Sequence, residues 1–125
     1  MSLINRCSMI IYPLPPFYEW QNELFPNDLL DISEEPLTND TATVFLIPVL
    51  ETEDEFDKWI KKNYKIFLES LIEDWVTKKS LWPKKLTYDL FTKWFHVSFH
   101  TVVYDTLDTP IIKEEDSDEE DFFKQ

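Results

Sequence analysis

The amino-acid sequence predicts an α+β fold: a two-layer sandwich in which a three- to four-stranded, mainly antiparallel sheet is covered on one face by one long and two shorter helices. Three observations predict this fold. A long stretch in the middle of the chain has helical periodicity with a wide apolar stripe. Strand-like and helix-like segments follow one another in the order β-α-β-α-α-β. The apolar stripe needs a covering layer, and the strand-like segments supply it.

The long helix is predicted over residues 52–76. Its apolar residues recur at steps of three and four, which places them on one side of a helix. They are Phe56, Trp59, Ile60, Tyr64, Phe67, Leu68, Leu71, Ile72, Trp75 and Val76. Thr52 is the predicted N-cap, and Glu55 completes a capping box. Asn63 lies on the apolar stripe, so we expect a bend there.

Two shorter helices are predicted, over residues 16–25 and 87–95. Pro15 and Pro16 suit the first turn of the first helix, because the N–H that proline lacks has no helical partner there. Thr87 is the predicted cap of the second helix. The residues expected to face inward are Phe17, Trp20, Leu24 and Phe25 in the first helix, and Leu90, Phe91, Trp94 and Phe95 in the second.

Three strands are predicted, over residues 5–12, 41–49 and 97–105. Cys7, Met9 and Ile11 share one face of the first strand. Residues 41–49 are apolar on both faces, which predicts that this strand is the central one. Residues 110–112 could add a brief edge strand. The polar loop that precedes the second strand could hold a helical turn near residues 29–33.

Residues 1–112 are predicted to form a single domain, followed by an acidic tail over residues 113–125. The tail carries seven acidic and two basic residues and lacks the apolar residues of a core, so we expect it to be disordered in isolation. Phe122 and Phe123 are the exception, because a purely solubilising tail has no use for two phenylalanines.

The chain has 25 acidic and 12 basic residues, which gives a formal net charge of −13. This charge argues against a nucleic-acid binder, which needs a basic face to displace phosphate counterions. It favours a basic protein partner that is reached by electrostatic steering. Glycine is absent, so glycine-rich phosphate loops, dinucleotide fingerprints and nucleophile elbows are excluded.

The sequence predicts a cytoplasmic protein without membrane contact. Cys7 is the single cysteine, so no internal disulfide can form. The beginning of the chain lacks the charged, apolar and small-residue pattern of a signal peptide. No apolar run approaches the roughly 20 residues that span a bilayer.

His96, His100 and the residues near them supply the types of side chain used in metal binding and catalysis. On one strand, the two histidines would lie roughly 13 Å apart, too far to share one metal ion without a bend. Ser98, His100 and Asp105 have the residue types of a nucleophilic triad, but a triad is defined by geometry. Cys7 with His100 is a weaker pair, since a buried cysteine on a strand explains it better. We therefore expect no metal, no cofactor and no enzymatic activity.

The candidate partner-binding residues lie in the tail and in the basic loop over residues 78–85. In the tail they are Asp118, Glu119, Glu120, Asp121, Phe122 and Phe123. In the loop, Trp82 stands among four lysines, an arrangement also used by nucleic-acid grooves. A solvated loop or a docking place for the acidic tail are the alternatives, and both suit the acidic chain better.

Two resemblances follow from particular residues. The run DEEDFF, residues 118–123, resembles the acidic–aromatic tail by which bacterial single-stranded DNA-binding proteins recruit partners, although Lys124 and Gln125 follow it here. The segments NRCSMIIYPLPPFYEW, SLWP before a helix ending in Trp-Phe, and FHTVVYDTLDTP are together similar to a small group of uncharacterised bacterial proteins with no assigned activity. That similarity implies a bacterial origin and nothing catalytic.

The sequence thus predicts a non-enzymatic, cytosolic protein-binding protein of adaptor or regulatory type, with a homodimer as a further possibility. Such a dimer would use the face formed by Ser98, His100, Val102 and Tyr104. The alternative is an acidic inhibitor or nucleic-acid mimic that acts on a basic protein. A hydrolase or metal protein that uses His96 and His100 ranks third.

Overall fold

The computed structural model of the chain describes residues 1–32 and 41–114. These residues form five strands, three α-helices and one short 3-10 helix. The strands are β1 (Ser2–Leu3), β2 (Cys7–Pro13), β3 (Thr43–Ile47), β4 (Phe95–His100) and β5 (Tyr104–Asp105). The helices are α1 (Pro15–Leu24), α2 (Glu53–Trp75) and α3 (Tyr88–Trp94), with the 3-10 helix at Lys79–Leu81. The predicted α+β class and order of elements are confirmed.

The main sheet has three strands in the order β3-β2-β4, and both pairings are antiparallel. The prediction that residues 41–49 form the central strand is wrong, because β2 lies between the other two strands. β3 is apolar on both faces for a different reason. Its inner side chains join the core, whereas Val44 and Leu46 lie on a face that no described helix covers.

A short ribbon of β1 and β5 extends the ladder formed by β2 and β4. Leu3 pairs with Tyr104 and Ser8 pairs with His100. Four residues separate Leu3 from Ser8, but only three separate His100 from Tyr104, so the N-terminal segment contains one extra residue between the two ladders. An extra residue of this kind bends a strand. The strand predicted over residues 97–105 therefore begins earlier, at Phe95, and is divided into β4 and β5.

The predicted long helix is confirmed as α2. Thr52 is its N-cap, and its Oγ1 accepts the Glu55 N–H at 3.1 Å. The Glu55 carboxylate reaches back one residue beyond the cap and accepts the Glu51 N–H at 2.8 Å. The helix continues through Asn63, whose side-chain amide donates to the Trp59 carbonyl at 2.8 Å. The apolar stripe buries residues from Phe56 to Ile72 against the sheet and the other helices.

The two shorter helices are also confirmed. α1 starts at Pro15 and α3 is capped by Thr87, whose Oγ1 accepts the Leu90 N–H at 3.1 Å. α1 buries Phe17, as expected, and also Tyr18 and Gln21, whose burial the apolar pattern did not predict. No helical turn forms over residues 29–32, and residues 33–40 lie outside the described part of the chain.

The core lies between one face of the sheet and the three helices. Its buried residues come from every main element: Cys7, Met9 and Ile11 from β2, Ile47 from β3, Phe17 from α1, Phe91 and Trp94 from α3, Phe95 from β4, and Ile60, Leu68 and Ile72 among others from α2. The two-layer arrangement with helices on one face is thus confirmed.

Residues 106–114, the described part of the chain after β5, form no strand. The brief edge strand expected over residues 110–112 is wrong, and Ile112 is 91% exposed. Of the tail predicted over residues 113–125, residues 115–125 lie outside the described residues. Within the described ranges, no helix has the length and apolar composition that crossing a bilayer requires.

Phe17 provides a direct test of how the layers hold together. Its fully buried ring lies 5.2 Å from the ring of Trp94 and 4.8 Å from that of Phe95, between centroids. Phe17→Ala removes this contact between α1 and the α3–β4 junction and leaves a cavity. We expect the free energy of unfolding to fall by about 3–5 kcal/mol.

Urea denaturation followed by circular dichroism measures this loss. Leu29→Ala is the control, because Leu29 is exposed and its truncation should change stability by no more than about 0.5 kcal/mol. A loss below about 1 kcal/mol for Phe17→Ala would contradict the central position of this ring.

Candidate functional site

The helices cover one face of the main sheet, and no described helix covers the opposite face, on which Ser8 alone is buried, at 8% exposed. Side chains alternate along each strand, so the even-numbered residues of all three strands share this second face. We call it the open face. Its members are Ser8, Ile10 and Tyr12 of β2, Val44 and Leu46 of β3, and His96, Ser98 and His100 of β4.

The open face is apolar along β3 and polar along β4. Val44 and Leu46 are 62% and 50% exposed. The strand register places Val44, Ile10 and Ser98 in one row across the sheet. None of the eight side chains is a carboxylate or a lysine, although the whole chain carries a net charge of −13. The open face is therefore a surface without carboxylates on a strongly acidic protein.

The polar half of the open face holds two local contacts. The rings of Tyr12 and His96 face each other across the strands with their centroids 6.0 Å apart. Ser98 Oγ and His100 Nε2 lie within hydrogen-bond distance, at 2.9 Å. Both contacts fix side chains in place on the sheet surface. Preorganised polar groups of this kind give orientation to a bound partner.

Of the three residues with the types of a nucleophilic triad, the structure brings Ser98 and His100 together, and it gives Asp105 another role. The Asp105 carboxylate accepts the Leu107 N–H at 2.9 Å and so shapes the chain after β5. A nucleophilic site also needs donors for the oxyanion and an oriented base. Among the described residues, no group of three or more histidine, cysteine or acidic side chains is arranged to hold a metal ion.

Cys7 does not approach His100, because the two residues lie on opposite faces of the sheet. Cys7 is 1% exposed on the core face. Its sulfur lies 3.4 Å from both the nitrogen and the carbonyl oxygen of Leu50, so it joins β2 to the segment that precedes α2. The interpretation of Cys7 as a small buried core residue is confirmed.

The other predicted partner-binding residues are placed as follows. The six tail residues lie outside the described part of the chain, so their role stays a prediction. Trp82 is half-buried against the core, and its indole N–H donates to the Val76 carbonyl at 2.8 Å. Lys79 Nζ lies 5.9 Å from the centre of its ring. The indole therefore ties the basic loop to the C-terminal end of α2.

Val44 and Leu46 were not singled out as site residues from the sequence. Their signal was present, since residues 41–49 are apolar at successive positions on both faces. We interpreted this pattern as that of a central strand covered on at least one side. An edge strand with one uncovered apolar face gives the same pattern.

A concave surface of about 320 Å³ lies near the C-terminal end of α1, lined by Gln21, Phe25, Asp28, Leu30 and Trp75. Gln21 is buried, and its Nε2 has no hydrogen-bond partner among the described residues. Asn22 anchors the following loop with two bonds to Leu30, of 3.2 and 2.7 Å. The chain passes from this loop into residues 33–40.

Comparison with protein-family models, with curated proteins and with solved structures finds no match to this chain. The functional argument therefore depends on the residues and geometry described above.

The role of Trp82 can be tested through stability. Trp82→Phe keeps an aromatic ring but removes the N–H that Val76 accepts, so we expect the free energy of unfolding to fall by about 1 kcal/mol. Lys79→Ala is the control, and it should change stability by no more than about 0.5 kcal/mol, because Lys79 is exposed. Thermal unfolding would reveal both changes. Equal stability of Trp82→Phe and the wild type would contradict the structural role of the indole.

Proposed function

We propose that this chain is a non-enzymatic protein-binding protein and that the open face is its contact surface. The observation that carries the proposal is an uncovered sheet face that is apolar along β3 and free of carboxylates. Uncovered apolar patches on a folded protein are commonly interaction sites. The opposite face of the sheet is already covered by α1, α2 and α3.

The energetics favour association through this face. Val44 and Leu46 are both about half exposed, so burying the remainder contributes on the order of 1 kcal/mol for each side chain. No ionised carboxylate has to lose its hydration there. The acidic remainder of the chain sets the long-range field and favours a partner with net positive charge. Charge thus governs the encounter, and the apolar contact governs the lifetime of the complex.

The acidic tail is a second contact in this proposal. Residues 118–121 provide negative charge, and Phe122 and Phe123 provide two aromatic anchors. Aromatic anchors next to a charged segment suit recruitment of a basic partner. Truncation of the tail separates its contribution from that of the open face.

The alternative, an acidic inhibitor or nucleic-acid mimic, gains less support from the described surface. The exposed side of α2 carries acidic residues, but lysines stand among them. Lys58 Nζ, for example, lies 3.3 Å from the Asp54 carboxylate. Interleaved charges of opposite sign do not reproduce the uniform charge array of a phosphate backbone.

The proposal predicts that charge on the open face abolishes partner capture. The test is affinity capture from a lysate of the source organism, with Val44→Lys/Leu46→Lys as bait beside the wild type. We expect at least about a tenfold loss of a specific partner, because two lysines would be buried without partners in the interface. Lysine is well tolerated on an exposed edge strand, so folding should be preserved.

The matched control is Leu29→Lys/Val49→Lys. These residues are 67% and 58% exposed, lie outside the main sheet, and produce the same change in net charge. The control and a version ending at Ile112 are compared at low and high salt. Unchanged capture by the Val44/Leu46 variant would overturn the assignment of the open face. Loss only in the truncated version would move the contact to the tail, and a chain that retains only its own copies would indicate homodimerisation.

A further inference from the structure

The pairing of β4 with β2 determines which backbone groups of β4 face outward. The Leu14 N–H donates to the Trp94 carbonyl at 2.8 Å, one step beyond the pair Pro13 and Phe95. Opposite residues in an antiparallel ladder alternate between bonded and non-bonded pairs. The bonds to β2 therefore come from His96, Ser98 and His100. The N–H and C=O groups of the residues between them point away from the sheet.

Val97 and Phe99 are these outward-facing residues. Phe95 also points outward, but its N–H donates to the Phe91 carbonyl as the C-cap of α3. In the described part of the chain, no strand lies beyond β4 to pair with Val97 and Phe99. The backbone N–H and C=O groups of Val97 and Phe99 are thus unpaired among the described residues, on an extended edge strand.

The other edge of the sheet has a protection that β4 lacks. By the same alternation, Val44 and Leu46 of β3 point their backbone groups outward, and Pro48 follows at the next outward position. Proline has no N–H to offer and blunts an edge strand. β4, with the sequence FHVSFH, contains no proline, lysine or carboxylate. The receptive edge is therefore that of β4.

A groove of about 270 Å³ runs beside this edge, between β4, α2 and α3. Its lining is polar and apolar in nearly equal parts, with Phe56, Ile60 and Phe91 at its base and Val97 at its border. This volume lies below the roughly 300–1,000 Å³ of typical small-molecule pockets. It suits one or two apolar side chains of a polypeptide whose backbone pairs with β4.

We propose that the β4 edge and this groove bind an extended peptide segment of another protein by strand addition. The peptide backbone accepts from the N–H groups of Val97 and Phe99 and donates to their carbonyls. Its alternate side chains enter the groove, because successive side chains of a strand point to opposite faces. The groove borders the open face at His96 but contains neither Val44 nor Leu46, so either assignment can fail without the other.

The groove also selects the charge of the peptide. Asp57 is the carboxylate in its lining, and it has no salt bridge to any residue in the described ranges. Lys61 Nζ lies 6.0 Å from the centre of the Tyr88 ring, so the Tyr88 end of the groove already has a positive charge beside it. A cation of the peptide therefore fits best at the Asp57 end. The net charge of −13 adds long-range attraction for a basic segment. The ligand class is an extended segment with alternating apolar residues and a lysine or arginine beside Asp57.

The test is selection from a phage-displayed library of random linear peptides of about ten residues against the full chain, followed by binding measurements on the enriched peptides. We expect enriched sequences to share alternating apolar positions and a basic residue. Asp57→Asn should weaken their binding by about threefold to tenfold, because one charge pair is lost. Glu53→Gln, which removes the same charge from the same helix outside the groove, should change it by less than about twofold.

Proline substitutions test the backbone contact. Val97→Pro removes an outward N–H and should weaken binding by at least about tenfold. Val49→Pro introduces the same residue at an exposed position beyond the end of β3, away from the groove, and should leave peptide binding unchanged. Equal binding by Val97→Pro and the wild type would overturn the proposal.

Amide hydrogen exchange of the unaltered protein gives an answer that does not depend on variants. We expect the Val97 and Phe99 amides to become protected when peptide is added, while those of Val44 and Leu46 stay unchanged. Bound peptide without this protection, or no enrichment in the selection, would overturn the proposal. Protection that rises with protein concentration alone, together with a dimer in sedimentation, would assign the edge to a second copy instead.

Discussion

The structure depends on the pairing of β2 on both of its sides. β2 bonds to β3 through its odd-numbered residues and to β4 through its even-numbered ones, so its backbone is fully used along most of its length. The side chains of Cys7, Met9 and Ile11 then form the floor on which all three helices pack. Pro13 is tolerated at the end of β2, because the N–H that proline lacks would face the β3 side. The pairing with β3 ends at Ile11 and Thr43, so no β3 residue lies opposite Pro13.

One-sided packing has a direct consequence for function. The helices that follow and precede the strands all lie on the face of Met9 and Ile11, so the opposite face keeps Val44 and Leu46 exposed. A sheet of three strands also has two edges, and only the β3 edge is followed directly by a proline, Pro48. The open face and the β4 edge are thus two products of the same architecture. One offers apolar side chains, and the other offers backbone hydrogen bonds.

Local features of the fold could be predicted from the sequence. Thr52 and Thr87 cap their helices as expected, because an N-cap depends on residues within one turn. The stripe of α2 was identified for a similar reason. Non-local features could not be predicted in the same way. Which strand is central depends on pairing between distant segments, and the apolar pattern of β3 is the same for a central strand and for an edge strand with one uncovered face.

The candidate site shows the same division. His96 and His100 were noticed as residue types, but only the register shows that they share a face with Val44 and Leu46. Trp82 was noticed as an aromatic among lysines and a candidate partner-binding residue, and its bond to the Val76 carbonyl depends on how the chain turns after α2. The edge groove could not be found from sequence, because its walls combine α2 with the consecutive elements α3 and β4, and the packing of α2 against that pair is non-local.

The most direct test of the central claim, that helices cover one face of the sheet only, is paramagnetic relaxation of methyl groups by a soluble gadolinium chelate in the full chain. The account predicts strong relaxation of the Val44 and Leu46 methyls and weak relaxation of the Ile11 and Ile47 methyls. Equal protection of all four residues in the monomer would contradict it, since the second face would then be covered by the chain itself.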